Sequence, residues 1–224
     1  MARTQDKQKA IDLRLKGYSY SQIKSELKIS KGTLSGWLKN YPLSEERIKE
    51  LTGKNEKRIE NYRKTRQRQR EEIFKKIYSE EKAKIFPLSK RDLFIAGLFL
   101  YWGEGAKTKD AEVSLSNTDP IMTKFFIYWL ENSLKIGRPK IKIRLHLYQD
   151  MNIEEEINFW AKTLNINKPQ FGKPYIKNTN KSAITYKNGF GHGTCNIIVG
   201  NVILMRRILM GLKTIQDYFN LKYK

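Results

Sequence analysis

The chain has 224 residues, and its 44 lysines and arginines outnumber its 23 aspartates and glutamates, which gives a formal net charge of +21. Such an excess of one sign repels itself unless an anionic partner neutralises it, so we expect nucleic acid or an anionic membrane surface as the partner. Hydrophobic residues make up 39% of the chain and aromatic residues 12%, which is enough for a buried core and excludes wholesale disorder.

The single cysteine, Cys195, excludes an internal disulfide and a cysteine-cluster zinc site, and it suits a reducing compartment. The most apolar run, 93–102, is far shorter than the roughly 20 residues that span a bilayer. No amino-terminal signal precedes the charged opening of the chain, so we expect a cytoplasmic, nucleoid-associated protein. Basic residues are in excess in each of the parts 1–43, 44–92 and 93–224, so each part either contacts phosphate or is an ordinary solvated surface.

Residues 5–40 are predicted to form three short helices. Gly17 suits the left-handed cap of the first helix, Ser19 or Ser21 caps the second, and Ser30 begins a third that runs to about Lys39. One face of the third helix is apolar, and the small and basic residues of the opposite face would let the helix enter a major groove.

The stretch 17–38 resembles the helix-turn-helix of resolvases and transposases. The resemblance implies that Lys31, Thr33, Ser35 and Lys39 lie towards DNA. A three-helix interaction module that touches no DNA is the alternative.

Residues 44–88 are predicted to link this unit to the rest of the chain. Ser44 caps a short helix, and after Gly53 one long helix runs to about Ile85 and ends before Pro87. Its middle, 63–70, is basic or polar throughout, and a helix that is polar all round is not buried. This part is either a solvated spacer or an arm that lies along the phosphates of DNA. In the second case, Arg66 and Arg70 are candidates for contact with the phosphates.

Ser89 and Asp92 form a predicted capping box for the next helix, which is apolar on every side through Gly103. We expect this helix to be buried all round, with Ala96 and Gly103 on a face where a second backbone approaches closely. Glu104 ends the helix, and a carboxylate there is costly unless it faces a cation or a cavity.

The segments 95–105 and 114–130 resemble the LAGLIDADG family of homing endonucleases and related proteins. In that family two such helices pack together, and the acidic residue that ends each helix binds divalent metal at the scissile phosphates. The resemblance implies that Glu104 is the catalytic and metal-binding residue, with Mg²⁺ or Mn²⁺ as cofactor, and that the chain is a homodimer through the 93–104 helix.

Three departures from the family pattern stand out. Ala96-Gly97-Leu98 lies two residues too far from Glu104, and glutamate replaces the usual aspartate. Only residues 106–111 separate the motif from the next predicted strand, 112–116, so the first DNA-reading hairpin would be much shortened.

Residues 140–148 alternate without a break and are predicted to form a strand. Its apolar residues face a core, and its outer face fits the concave DNA surface of the LAGLIDADG family; that face carries Lys140, Lys142, Arg144, His146 and Tyr148. We interpret His146 as a phosphate contact rather than a metal ligand. Helices are predicted after Asp119-Pro120 and over 152–164, the latter with Ile153 among its inward residues, further strands over 168–200, and a closing helix over 202–219.

The sequence therefore predicts an α+β protein: an all-α helix-turn-helix domain (1–43), a basic helical linker (44–88) and a LAGLIDADG-like αββαββα domain (89–224). We expect it to bind specific double-stranded DNA and to cleave it as a metal-dependent endonuclease. A non-catalytic transcriptional regulator or recombination accessory protein with the same two modules is the alternative, and RNA binding is a third. Membrane binding is not expected, because no helix pairs a basic face with a broad apolar one.

Overall fold

The computed structural model describes residues 2–108, 111–183 and 191–222. These residues form mixed α+β structure in two compact units, Met1–Pro87 and Leu88–Lys224. The first unit contains both the region of the predicted helix-turn-helix and the predicted linker. Within the described ranges, no helix combines the length and the apolar character needed to cross a membrane.

The first unit consists of five helices in its described residues, and local capping signals set where they begin. Ser19, Ser30 and Ser44 each accept a hydrogen bond from a backbone N–H of the following helix, as predicted. The helices are α1 (Ala2–Leu15), α2 (Tyr20–Leu27), α3 (Lys31–Leu38), α4 (Glu45–Glu50) and α5 (Lys54–Ile85). A small core joins α1, α2 and α3, with Ile23, Leu34 and Leu38 buried.

The second unit begins with the predicted capping box, in which Ser89 and Asp92 exchange hydrogen bonds with each other's backbone. Its elements are α6 (Lys90–Glu104), β1 (Glu112–Asn117), α7 (Pro120–Asn132), β2 (Lys142–Tyr148), α8 (Ile153–Leu164), β3 (Tyr175–Lys177), β4 (Thr194–Gly200) and α9 (Val202–Lys222). The predicted order αββαββα is wrong. The helix predicted after Asp119-Pro120 is α7, and it lies between the first two strands because Asp119 caps it directly after β1. Part of the predicted 168–200 strand region, 184–190, lies outside the described residues.

The four strands form one mixed sheet in the order β1-β4-β2-β3. β4 pairs antiparallel with both β1 and β2, whereas β3 runs parallel to β2 along one edge. Alternate residues of each long strand point to one face, where they meet the helices. Ile143, Leu145 and Ile197 are among the buried residues of that face.

Two tryptophans lie at the centre of the second unit's core, and both are fully buried. The Trp129 indole N–H of α7 donates to the Phe94 carbonyl of α6 at 3.1 Å, and the Trp160 indole N–H of α8 donates to the His192 carbonyl at 2.8 Å. Buried tryptophans with satisfied N–H groups fix the helices to each other and to the sheet. Cys195 is a buried core residue, and burial raises the pKa of its thiol.

Three predictions about side-chain placement on the strands and helices are corrected. Lys140 precedes β2 and lies in the 3₁₀ turn Arg138–Lys140, although it is exposed as expected. Tyr148 is buried rather than outward, and the Lys177 ammonium lies 4.7 Å from the centroid of its ring. Ile153, expected to face inward, is exposed at the start of α8.

Candidate nucleic-acid interface

A buried ion pair holds the long helix α5 against α1 and α2. The Arg14 guanidinium donates to both carboxylate oxygens of Glu60, at 3.0 and 2.7 Å, and both side chains are 3% exposed. Arg14 also donates to the Tyr41 and Tyr18 carbonyls, and Glu60 accepts from the Tyr20 N–H at 3.0 Å. With these bonds the pair is satisfied on both sides, which is the condition under which a buried charge is tolerated.

Three further contacts hold α5 close to α2 and α3. The Ser19 hydroxyl donates to Glu56 at 2.8 Å. The Arg63 guanidinium lies over the Tyr20 ring, 3.6 Å from its centroid, and donates to the Ser35 hydroxyl of α3 at 3.0 Å. Glu60 in the first half of α5 is therefore buried against α1 and α2, whereas none of the residues 63–70 is buried, as their all-polar run predicts.

A cleft of about 1250 Å³ lies between α5 and the end of α3, within the first unit. Four of the predicted contact residues line it, namely Ser35, Lys39, Arg66 and Arg70. Its lining also includes Arg58, Arg63 and Lys64, and the exposed rings of Tyr62 and Phe74. Glu60 and Glu71 are the acidic groups of the lining, and Glu60 is already neutralised by Arg14. The cleft thus combines a strongly positive wall with aromatic faces, which is a suitable surface for nucleic acid.

The other two predicted residues of α3 lie outside the lining of this cleft. Lys31 is exposed at the first position of the helix. The Thr33 hydroxyl lies 2.9 Å from that of Ser30, and the Thr33 N–H donates to the same hydroxyl. Thr33 is therefore part of the capping arrangement that begins α3.

The second unit carries a separate basic surface on the sheet face that points away from the helices. Lys142 and Arg144 of β2 are exposed there. The register places Asn196 of β4 beside Arg144, and Ser116 of β1 beside Asn196. The Asn196 Oδ1 is buried and has no hydrogen-bond partner among the described residues. A buried acceptor without a protein partner needs a hydrogen-bond donor from water or from a bound molecule.

Two aromatic side chains lie at the β3 edge of this sheet face. His146 meets Tyr175 edge to face, with 5.4 Å between ring centroids, and Tyr175 is 58% exposed. Burial, followed by the charges of Lys177 and Arg144, lowers the pKa of His146 below its usual 6.5, so the imidazole is neutral at pH 7. His146 therefore contributes a hydrogen-bonding ring rather than a positive charge to this surface.

Glu104 is exposed at the end of α6, where the chain turns. The turn requires Gly105, because a Cβ there would lie 2.4 Å from the Tyr101 ring and 2.5 Å from its carbonyl oxygen. The Asn117 amide donates to Glu104 at 3.4 Å. Among the described residues, no group of three or more histidine, cysteine, aspartate or glutamate side chains is placed to hold a metal ion. Glu104 is thus a single accessible carboxylate.

Within one chain, α6 is uncovered on the face where we expect a second backbone to approach. Gly97, Leu98 and Tyr101 are buried against the unit, but Ala96, Phe99 and Gly103 are exposed and lie along one side of the helix. Only one face of α6 packs on the rest of the unit, so an apolar strip is left uncovered in this part of the structure.

Sequence reasoning missed Arg58 and Arg63 in the cleft, and Tyr175 at the sheet edge. Of these three residues, Arg63 could have been found from the sequence, because it begins the basic run of α5 one turn after Glu60. No sequence signal pairs Arg14 with Glu60, which are 46 residues apart. No protein-family model, curated protein or solved structure matches the chain.

Proposed function

We propose that this protein binds double-stranded DNA through its two basic surfaces, one in each unit. The observation that carries the proposal is the cleft between α3 and α5, where exposed cations from two helices converge and few acids oppose them. A positive wall of this kind releases counterions from the phosphate backbone, and that release is the main source of affinity for DNA. α3 supplies a helix that can present Lys39 to a groove, and α5 supplies the phosphate contacts.

Replacing Arg66 and Arg70 together with alanine is expected to weaken binding to every duplex and to reduce the slope of log K against log salt by about 1.8. The reason is that each lost phosphate contact removes about 0.9 from the slope. The measurement is a fluorescence-anisotropy titration at several salt concentrations. Lys7→Ala with Lys9→Ala is the matched control, since both are exposed cations of the same unit outside the cleft lining. If both pairs change the slope equally, the cleft has no special role.

The sheet face of the second unit is proposed as the second contact surface. Lys142→Ala with Arg144→Ala should also reduce the salt slope, by about 1.8, because both cations point away from the helix-covered face. Lys124→Ala with Lys162→Ala removes the same charge from α7 and α8, which pack on the opposite face, and should leave the slope nearly unchanged. An unaltered slope in the β2 variant would exclude this surface from DNA contact.

Metal-dependent cleavage is the second candidate function, and the exposure of Glu104 favours it. Magnesium binds through one or two carboxylates together with substrate phosphates and water, so one Glu104 from each of two chains is an acceptable protein contribution. The uncovered strip of Ala96, Phe99 and Gly103 offers a face for the pairing of two α6 helices that would bring the two carboxylates together. In this proposal Glu104 would hold the metal ion, and the chemistry that such an ion would supply there is activation of water and neutralisation of phosphate charge.

Incubation of supercoiled DNA that carries the protein's own locus with Mg²⁺ or Mn²⁺ tests cleavage. We expect specific nicking by the wild type and none by Glu104→Gln, which keeps the side-chain size and removes the charge. Both proteins should bind DNA equally well. Tight binding without nicking under either metal would leave the regulator or accessory role as the function.

A further inference from the structure

The second half of α5 is exposed on all sides and carries a cluster of large apolar side chains. Phe74 is 56% exposed, Ile77 46% and Tyr78 70%, and Ile73 is similar. Every residue from 71 to 86 is exposed. Large apolar side chains clustered on one exposed surface mark an interaction site.

The apolar side chains are arranged for packing against another helix. Ile73 and Ile77 form one row at a spacing of four residues, and Phe74 and Tyr78 form the neighbouring row. Rows of apolar side chains such as these pack into the grooves of a second helix. The geometry favours a helical partner over an extended or flat one.

The charge of this segment differs from that of the rest of the helix. Residues 54–70 carry eight basic and two acidic side chains, whereas residues 71–85 carry four of each and are neutral. In a chain of net charge +21, this neutral apolar segment lets a second copy approach without the repulsion that the basic first half of α5 would cause. A nucleic acid would be drawn to the first half of the helix instead.

The charged side chains beside the apolar cluster are complementary to the same side chains on a second, antiparallel copy. Glu72, Lys76, Glu80 and Lys84 follow one another at four-residue spacing with alternating charge. When two such helices run antiparallel and cross at Tyr78, Glu72 faces Lys84 of the second copy and Lys76 faces Glu80 of the second copy. Opposite charges beside an apolar contact select the partner and its orientation.

We propose that the second half of α5 is a self-association surface, on which a second copy of this chain docks antiparallel through Ile73, Phe74, Ile77 and Tyr78. The proposal concerns the protein without DNA and does not depend on the proposed function. It also uses a different helix from the α6 pairing considered for cleavage.

Charge reversal on the full-length chain tests this surface by sedimentation velocity. The variant Glu72→Lys/Glu80→Lys makes the flank entirely positive, and Lys76→Glu/Lys84→Glu makes it entirely negative. We expect the wild type to sediment as an associated species, each variant alone as a smaller one, and their equimolar mixture again as the associated species. The recovery in the mixture shows that both variants are folded, and circular dichroism of each variant checks that α5 remains helical.

Three results would overturn the proposal. A wild type that is monomeric at all accessible concentrations has no such surface. Variants that remain as associated as the wild type would show that the copies join elsewhere, for example through α6. A mixture that does not recover would show that the flanks of α5 do not face each other. Ile73 and Phe74 also line the cleft of the first unit, so DNA binding by each variant is measured separately.

Discussion

Replacing Glu60 with alanine is expected to destabilise the first unit by about 3–5 kcal/mol, because it leaves the Arg14 guanidinium buried without its partner. The substitution also removes the acceptor of the Tyr20 N–H and one of the contacts that hold α5 against α2. Hydrogen exchange of the full-length chain is the direct measurement, since the Tyr20 amide should exchange far faster in Glu60→Ala. DNA affinity should fall with it, although Glu60 itself does not contact DNA.

Two controls separate the ion pair from simple loss of volume. Glu50→Ala removes a carboxylate from an exposed pair with Arg47 in the same unit, and should cost less than about 1 kcal/mol. The double variant Arg14→Met/Glu60→Leu removes both charges and should be more stable than Glu60→Ala. If the Tyr20 amide of Glu60→Ala exchanged at the wild-type rate, contacts other than the ion pair would hold α5 against α1 and α2.

Gly97→Ala is expected to destabilise the second unit by about 3 kcal/mol, because a Cβ at this position would lie 2.1 Å from the Trp129 ring. Trp129 has no free space into which to move, since it is fully buried and its indole N–H is bonded to the Phe94 carbonyl. The displaced ring would disturb the packing of α6 on α7 and hence the position of Glu104. Thermal unfolding followed by tryptophan fluorescence measures the loss.

Gly103→Ala on the same helix is the matched control. Nothing lies within 4 Å of its added Cβ, and alanine stabilises a helix interior by up to about 1 kcal/mol relative to glycine. We therefore expect Gly103→Ala to be as stable as the wild type or slightly more so. If Gly97→Ala were as stable as Gly103→Ala, the gain in helix propensity, and not the contact with Trp129, would decide the effect.

Element boundaries could be predicted from the sequence where a single side chain sets them. Ser30 begins α3, Ser89 and Asp92 begin α6, and Asp119 with Pro120 begins α7, because each signal acts on the backbone within three residues. The alternation in 141–147 likewise predicts which residues of β2 are buried.

Features that depend on distant parts of the chain could not be predicted in this way. The Arg14–Glu60 pair joins α1 to α5, and each member looks like an ordinary surface charge in its own helix. The parallel pairing of β3 with β2, and the position of β4 between β1 and β2, follow from how the strands assemble rather than from their composition. For the same reason, sequence reasoning identified Lys39, Arg66 and Arg70 without predicting that they line one cleft.

The salt dependence of duplex binding by the wild type tests the central claim most directly. Six exposed cations of the two surfaces are proposed phosphate contacts: Lys39, Arg58, Arg66, Arg70, Lys142 and Arg144. Log K should therefore fall linearly with log salt with a slope of about −5. A slope shallower than about −2, or no measurable binding to duplex DNA at low salt, would contradict the account.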